Sequence, residues 1–534
     1  MSTNNITMQN SGRYLLSYGF IILSLFFATA GFGQNSTFPY AESFRSTTMP
    51  TGIALPLAPG GKVNAATFTM NGLVLTPATT TQFGAVTIDG FQFNSTNGIE
   101  INFEYSMYGG VQFDNSYGDG ISVFLYDASK TPVTIGSNGH GLGYGFNRAG
   151  YATDRQQGLT GAYLGIGLDA YGNFKNQFFE DPARTNGITG VTWGGSGRSQ
   201  LTLRGAQYPG GISGTTYGLR GLNYSGYPVL ATQGTLNNAS GASAAILNTA
   251  DGSYTTSSTP FTAPNAFDLR PGALSANPGD ANYRKAIIIL TPRAGGGFVV
   301  NVKIQHDVTT TNVINNYQYS TSLIYTENAN ALGIYDATTE AYDQGLNTIH
   351  TLTATVPASF KIGFAASTGA ATQTQLIRDL VVKLPYQTIG AADTLLFCGN
   401  YTPAGVINPF SNDVFYNGSL TGTITSGNNS TYVDFSSFIF EDAARNNLGT
   451  TYTDPGKGTW SYNTATGLVT FTPVKGYVGG SSVFYSAKGT ASQGGPFNQN
   501  IYRSGAAMIT TKVTMCNTIS NPQLPANRPV TSGQ

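Results

Sequence analysis

From residue 65 onward the chain repeats one pattern, short runs of alternating apolar and polar residues separated by glycine-rich turns. Ala66-Thr67-Phe68-Thr69-Met70, Ile99-Glu100-Ile101-Asn102-Phe103-Glu104-Tyr105 and Ile121-Ser122-Val123-Phe124-Leu125-Tyr126 are three examples. A period of two places successive side chains on opposite faces, so these segments read as half-buried strands. Lys285–Thr291 and Phe298–Ile304 flank Gly295-Gly296-Gly297, which reads as a hairpin. Long helical periodicity is almost absent. The expected fold class is therefore all-β, an antiparallel β-sandwich or jelly roll. The 68 glycines supply turns, and aromatic residues at 12% supply the area that an ordered core must bury.

At 534 residues the chain should hold at least two domains. The strand pattern pauses after Lys383-Leu384-Pro385 and restarts at Thr394-Leu395-Leu396-Phe397-Cys398, which puts a boundary near residues 385–392. Residues 205–280, rich in Gly, Ser, Thr, Asn and Ala, read as long surface loops, and residues 309–347 read as a second irregular insertion. The tail 517–534 reads as a linker or a truncated end. Charged residues make up 10% and cancel to zero net charge, which argues against nucleic acid or an anionic membrane surface as partner. Arg13 precedes an apolar run, Tyr14–Phe27, ending in Ala28-Thr29-Ala30, so residues 1–30 read as a secretory signal peptide. No later segment approaches 18 apolar residues, and the chain is expected outside the cytoplasm, secreted or on a cell surface. In that setting Cys398 and Cys516 are expected to pair and brace the C-terminal region.

Four loop segments carry ligand-holding chemistry. Gly118-Asp119-Gly120 places a carboxylate between glycines, where it can approach a ligand closely and accept two hydroxyl hydrogen bonds; a turn Asp bonded to its own backbone is the plainer reading. Gly136–Gly143 (GSNGHGLG) offers backbone N–H groups, with His140 read as an exposed loop histidine. Leu164–Phe174 (LGIGLDAYGNF) presents Asp169, Tyr171 and Asn173 at a spacing that would align them on one strand face, with oxygens suited to calcium. The loop Gly369-Ala370-Ala371-Thr372 follows the strand 360–366.

Taken in order, GDGISVFLYD, GHGLGYGF, LGIGLDAYGNF and FKIGFAASTG resemble the L-type (legume-type) lectin family over residues 36–386. The resemblance implies a concanavalin-like sandwich, here with long loop insertions. It implies a monosaccharide pocket in which Asp119 matches the sugar-binding Asp, Gly139 or Gly141 the glycine that adds an N–H, Asn173 the amide and Tyr171 the ring, with Ala370 and Ala371 on the remaining loop. Gly118–Asp119 would be a cis peptide. The family carries a Glu two residues before the Asp of its metal site; Gly167 stands there, which speaks against a transition metal. Calcium on Asp169, the Tyr171 carbonyl and Asn173, with a further ligand from Asn176, Glu180 or Asp181, is one expectation, and a metal-free pocket is the other.

Residues 392–516 form the second expected domain. Gly456-Lys457-Gly458-Thr459-Trp460 and Thr466-Gly467-Leu468-Val469-Thr470-Phe471-Thr472-Pro473 read as a strand pair with Trp460 in the core. This stretch resembles the repeat of CshA-type bacterial fibrillar adhesins and related immunoglobulin-like modules, which implies a smaller immunoglobulin-like sandwich acting as a stalk. Together the features indicate an exported, non-catalytic carbohydrate-binding protein, displayed multivalently to raise avidity against a glycan or glycoconjugate. Two alternatives stand beside it. A glycoside hydrolase would need paired carboxyl groups, about 5–5.5 Å apart in a retaining enzyme, and no Glu-x-Asp-x-x-Glu strand motif is present. A structural surface module would have no sugar site at all.

Overall fold

The computed structural model describes residues 38–131, 133–147, 156–176, 197–208, 225–237, 243–275, 277–328, 335–336, 341–342, 347–399, 403–418, 420, 423–490, 497 and 500–515. The apolar run 14–27, Glu180, Asp181, Cys516 and the tail 517–534 lie outside these residues.

The N-terminal part is an antiparallel sandwich. One sheet, of eight strands, runs in the order Thr309–Tyr319, Phe298–His306, Arg284–Pro292, Ile99–Tyr108, Thr374–Lys383, Gly72–Thr76 and Thr67–Thr69, with Tyr40–Glu42 also paired on Thr374–Lys383. The other, of ten strands, runs Tyr254–Ser257, Ala244–Leu247, Val229–Gly234, Gln200–Arg204, Ala162–Asp169, Gly120–Asp127, Ser359–Ser367, Phe83–Ile88 and Ile53–Ala54, with Phe93–Asn94 on Ser359–Ser367. Alternation explains the first sheet. Ile99, Ile101, Phe103 and Tyr105 enter the core, while Glu100 and Glu104 on the opposite face pair with Lys383 and Arg378. Phe103 meets Phe364 of the other sheet edge to face, ring centroids 5.0 Å apart.

The second sheet is buried on both faces. Ile121, Val123 and Leu125 join the sandwich core, whereas Phe124 and Tyr126 face a separate apolar cluster that includes Leu142, Tyr144, Leu159, Phe174 and Tyr227. The glycines of LGIGLD are seats for its rings. A methyl group added at Gly165 would lie 2.6 Å from the Tyr144 ring, and one at Gly167 would lie 2.3 Å from Phe174 Cδ1.

Two segments depart from expectation. Residues 205–280 are not loop throughout, since Val229–Gly234, Ala244–Leu247 and Tyr254–Ser257 extend the second sheet. Their apolar groups are short, yet Val229, Leu230, Ala231, Ala245 and Leu247 are all buried. Residues 309–347 likewise begin with an eleven-residue edge strand, Thr309–Tyr319. Register shifts opposite Val300–Lys303 bring Val313 and Ile314 both inward and break the alternation that would have revealed it.

A second core lies beyond residue 392. Asp393–Cys398, Ala507–Thr514, Gly479–Gly489, Val433–Glu441 and Asn447–Gly449 form one sheet, and Gly405–Ile407, Leu468–Pro473, Gly458–Asn463 and Thr451–Asp454 the other. The first strand pairs parallel with the last, Asp393 opposite Ile509, a departure from the antiparallel rule followed elsewhere. Cys398 ends that first strand and is disulfide-bonded. Between the two cores Leu384, Leu420, Phe497 and Tyr502 cluster with Phe38, Tyr386 and Tyr416, and the Tyr502 hydroxyl donates to the Asn97 carbonyl (3.2 Å).

Trp460 is fully buried in the second core, and its Nε1–H donates to Ser481 Oγ (2.9 Å), which donates to Asp454 Oδ2 (2.6 Å). Trp460→Ala removes a large ring and strands part of that chain. It is expected to cost about 3–5 kcal/mol, read as an earlier guanidinium transition of this sandwich alone; an unchanged midpoint would contradict the packing described.

Candidate functional site

Register assembles the site. Ser367 pairs with Gly120, and Gly120 with Asp169, so three neighbouring strands end at one level of the second sheet. Their loops, 111–119, 170–176 and 368–373, therefore meet there, joined by the 137–141 segment. A methyl group at Gly118 would lie 3.1 Å from Ala371 Cβ and 3.5 Å from Tyr171 Cβ, so these loops touch. Gly120 is a glycine because Leu168 O would lie 2.4 Å from any Cβ there.

Asp119 sits at the centre. The Gly118–Asp119 peptide is cis, the Asp119 N–H donates to Ser367 O (2.6 Å) and the Asp119 carbonyl accepts from Tyr171 N–H (2.9 Å). The side chain is buried, and Oδ2 has no hydrogen-bond partner. Burial first, then the charge of Asp169, push the carboxyl up to about 7, while a hydrogen bond with Ser367 pulls the other way. A buried acid with an unpartnered oxygen is costly to keep, and such groups cluster at functional sites.

Asp169 plays a different part. Its Oδ1 accepts from Gly172 N–H (2.7 Å) and its Oδ2 from Phe174 N–H (2.6 Å), which folds residues 170–174 around it. Burial raises its carboxyl to about 6, and those N–H bonds and the Lys175 charge oppose the rise. The strand ends at Asp169 and Gly172 has φ +103°, so Asp169, Tyr171 and Asn173 do not share one strand face as their spacing implied. Asn173 instead lies in the loop with a buried Oδ1 that has no partner, and Tyr171 is half-buried against Gly118.

The glycine loop also differs from expectation. The Gly139 N–H donates to Ser367 Oγ (2.8 Å) and the Gly141 N–H to Asn138 O (3.2 Å), so neither is free for a ligand. Gly139, with φ +58°, has open space where a side chain would be, whereas a Cβ on Gly141 would collide with Ser137. His140 is half-buried, not exposed, and burial together with the Arg204 charge lowers its ring to about 4. Ala370 is exposed, and Ala371 is buried behind Gly118.

Three residues that sequence reasoning missed hold this arrangement. Ser367 joins the Asp119 and Gly139 loops. Arg204, buried, donates from Nη1 to the carbonyls of Phe174 (2.9 Å) and Asn176 (2.7 Å) and from Nε to that of Tyr227 (2.7 Å). Lys175, also buried, donates from Nζ to Gly197 O (2.5 Å). Ser367 lay inside a quoted segment, and Lys175 stood one residue beyond another. Behind the same loops a small cavity is lined by Gln112, Ser116, Tyr117, Ala170, Arg198, Asp268 and Arg270, with the Arg270 guanidinium 3.5 Å above the Tyr117 ring.

The described residues around Asp169 do not by themselves fit a divalent cation. Among the described residues no group of three His, Cys, Asp or Glu could hold one. Calcium takes six to eight oxygens. Here both Asp169 oxygens accept N–H bonds, the Phe174 ring fills the space beside Gly167, and an ammonium lies buried in the same loop. Asn173 and Asn176 each have a buried Oδ1 without a partner, and Asp181 lies outside the described residues.

No protein-family model matches the sequence, and no curated protein does. Solved structures similar to the chain include the exoplasmic/lumenal domain of VIP36 in its Ca2+/Man3GlcNAc-bound form, 13% identical, covering 65% of this chain and 90% of that one with a TM-score of 0.31. The Emp46p carbohydrate recognition domain in its metal-free form is 9% identical over 64% of this chain and 95% of that one, TM-score 0.30. The lectin from Bauhinia forficata in complex with GalNAc is 11% identical over 64% and 96%, TM-score 0.29.

Proposed function

We propose that this is an exported, non-catalytic carbohydrate-binding protein whose sandwich holds a sugar at Asp119 and Asn173, with Tyr171 as the flanking ring. The observation that carries this reading is the buried Asp119 Oδ2 without a partner, with Asn173 Oδ1 in the same condition on the loop whose Tyr171 N–H donates to the Asp119 carbonyl. Vicinal sugar hydroxyls are donors that would satisfy both, and a hydrogen bond to a carboxylate is the stronger kind. The Arg198 and Arg270 cavity beside Tyr117 gives room for a second sugar unit. Asp169, the neighbouring acid, has both oxygens committed to backbone N–H groups, which disfavours it as the second carboxyl a hydrolase would need. The second sandwich serves as a spacer, and display of several copies on a surface raises avidity.

A glycan array of the secreted chain tests this, run at pH 8 and pH 5. With the Asp119 carboxyl at about 7 and only its ionised form accepting sugar hydroxyls, affinity at pH 5 should fall by about 100-fold. Stability runs in the opposite sense. A carboxyl raised on folding contributes stability that is complete below its unfolded pKa and lost as pH rises through about 7. Glycan binding that is flat from pH 5 to 8, or absent, would contradict the assignment.

A further inference from the structure

We propose that Lys175 takes the place of a bound cation in this site, its ammonium supplying the positive charge that fixes the Asp169 loop, so that glycan binding needs no divalent metal. The inference rests on the sugar-site reading for its link to binding, while its claim about the loop stands apart from it.

Geometry supports it at three points. Lys175 is 1% exposed, and a lysine is so deeply buried only where a charge or a set of acceptors balances it. The Gly197 carbonyl accepts a hydrogen bond from its Nζ, and while burial pushes the amine down to about 7, the Asp169 charge opposes that fall and favours the ammonium. Next, Asp169 directs its oxygens at the N–H groups of Gly172 and Phe174, a loop fold that a carboxylate can close without a metal provided a positive charge offsets its own burial. Finally, the Phe174 ring occupies the surface of Gly167, where a longer acidic side chain would otherwise project toward the same loop. Chain order thus packs the parts into one stretch. Asp169 sets the loop, Asn173 holds an unpartnered Oδ1, Phe174 seals the sheet and Lys175 supplies the charge. Lys175 reaches no ligand and acts as a positioning residue.

The test begins with the intact wild-type chain and no sugar. Elemental analysis should find no stoichiometric calcium, manganese or zinc, and the melting temperature should not move with EDTA or added calcium. Glycan binding, where the array finds it, should be unchanged by EDTA. Lys175→Ala should weaken binding at least tenfold while leaving the Trp460 sandwich transition in place, and propylammonium in the buffer should restore part of it, a rescue that mere loss of packing would not give. Stoichiometric calcium in the wild type, a melting temperature that falls on chelation, or Lys175→Ala that binds as well as wild type would each overturn the proposal. If no glycan binds at all, the function proposed above fails, and the metal content and chelation measurements still decide the role of Lys175.

Discussion

Asp119→Ala is expected to abolish detectable glycan binding and to leave the chain folded, with a melting temperature at pH 8 equal to or above that of wild type. Two hydroxyl-to-carboxylate hydrogen bonds are each worth about 1.5–3 kcal/mol, so their joint loss exceeds 100-fold in affinity. The opposite sign for stability follows from the same atoms. Burial has already raised this carboxyl to about 7, and its Oδ2 makes no hydrogen bond, so the unliganded fold gains little from the side chain and carries its desolvation. Asp119→Asn separates shape from charge. It keeps the size and one acceptor, so binding should fall but become flat between pH 5 and 8. Calorimetric titration and thermal unfolding of the three proteins check both halves, and Asp119→Ala that unfolds or binds normally would contradict the account.

Arg204→Leu should damage the lectin-like sandwich about as much as Trp460→Ala damages the second one. The guanidinium serves three carbonyls on two segments, those of Phe174 and Asn176 and that of Tyr227, and leucine removes the hydrogen bond it gives to each. Each orphaned buried carbonyl costs about 1–3 kcal/mol, and relief of the arginine's own desolvation returns part of it, for a net loss on the order of 3–5 kcal/mol. Two of those carbonyls belong to the loop that carries Asn173. Glycan affinity should therefore fall even where the protein remains folded. Arg204→Lys should not rescue, because an ammonium lacks the planar fork whose Nε and Nη1 point at different partners. Urea unfolding and glycan titration provide the readings; wild-type values for Arg204→Leu would show that the loop is held some other way.

Much of the sandwich could be read from alternation alone, because a strand with one face in a core declares itself by period. Ile99–Tyr105 and the hairpin across Gly295–Gly297 are such cases, and so is the strand pair about Trp460. The edge strand Thr309–Tyr319 escaped notice because its bulges put Val313 and Ile314 inward side by side, and Val229–Ser257 because its strands are short. The site was legible in part. Asp119 and Asn173 stand out as polar residues in glycine-rich loops, and the cis Gly118–Asp119 peptide follows from the resemblance. What sequence could not give is which groups are already satisfied. The Gly139 and Gly141 N–H groups and both Asp169 oxygens are taken by partners within the protein, one of them 228 residues away at Ser367. Arg204 and Lys175 look like ordinary surface cations until the fold buries them, and only register reveals that Ser367, Gly120 and Asp169 end side by side.

The central claim is that a sugar sits on Asp119 and Asn173, and a crystal structure of the chain with its strongest array glycan tests it most directly. The account predicts one ring with hydroxyls donating to Asp119 Oδ2 and bonded to the Asn173 side chain, beside Tyr171 and with no metal at Asp169. A glycan seated elsewhere, such as the groove between Ile246 and Val313 at the far edge of the two sheets, with Asp119 left untouched, would contradict it.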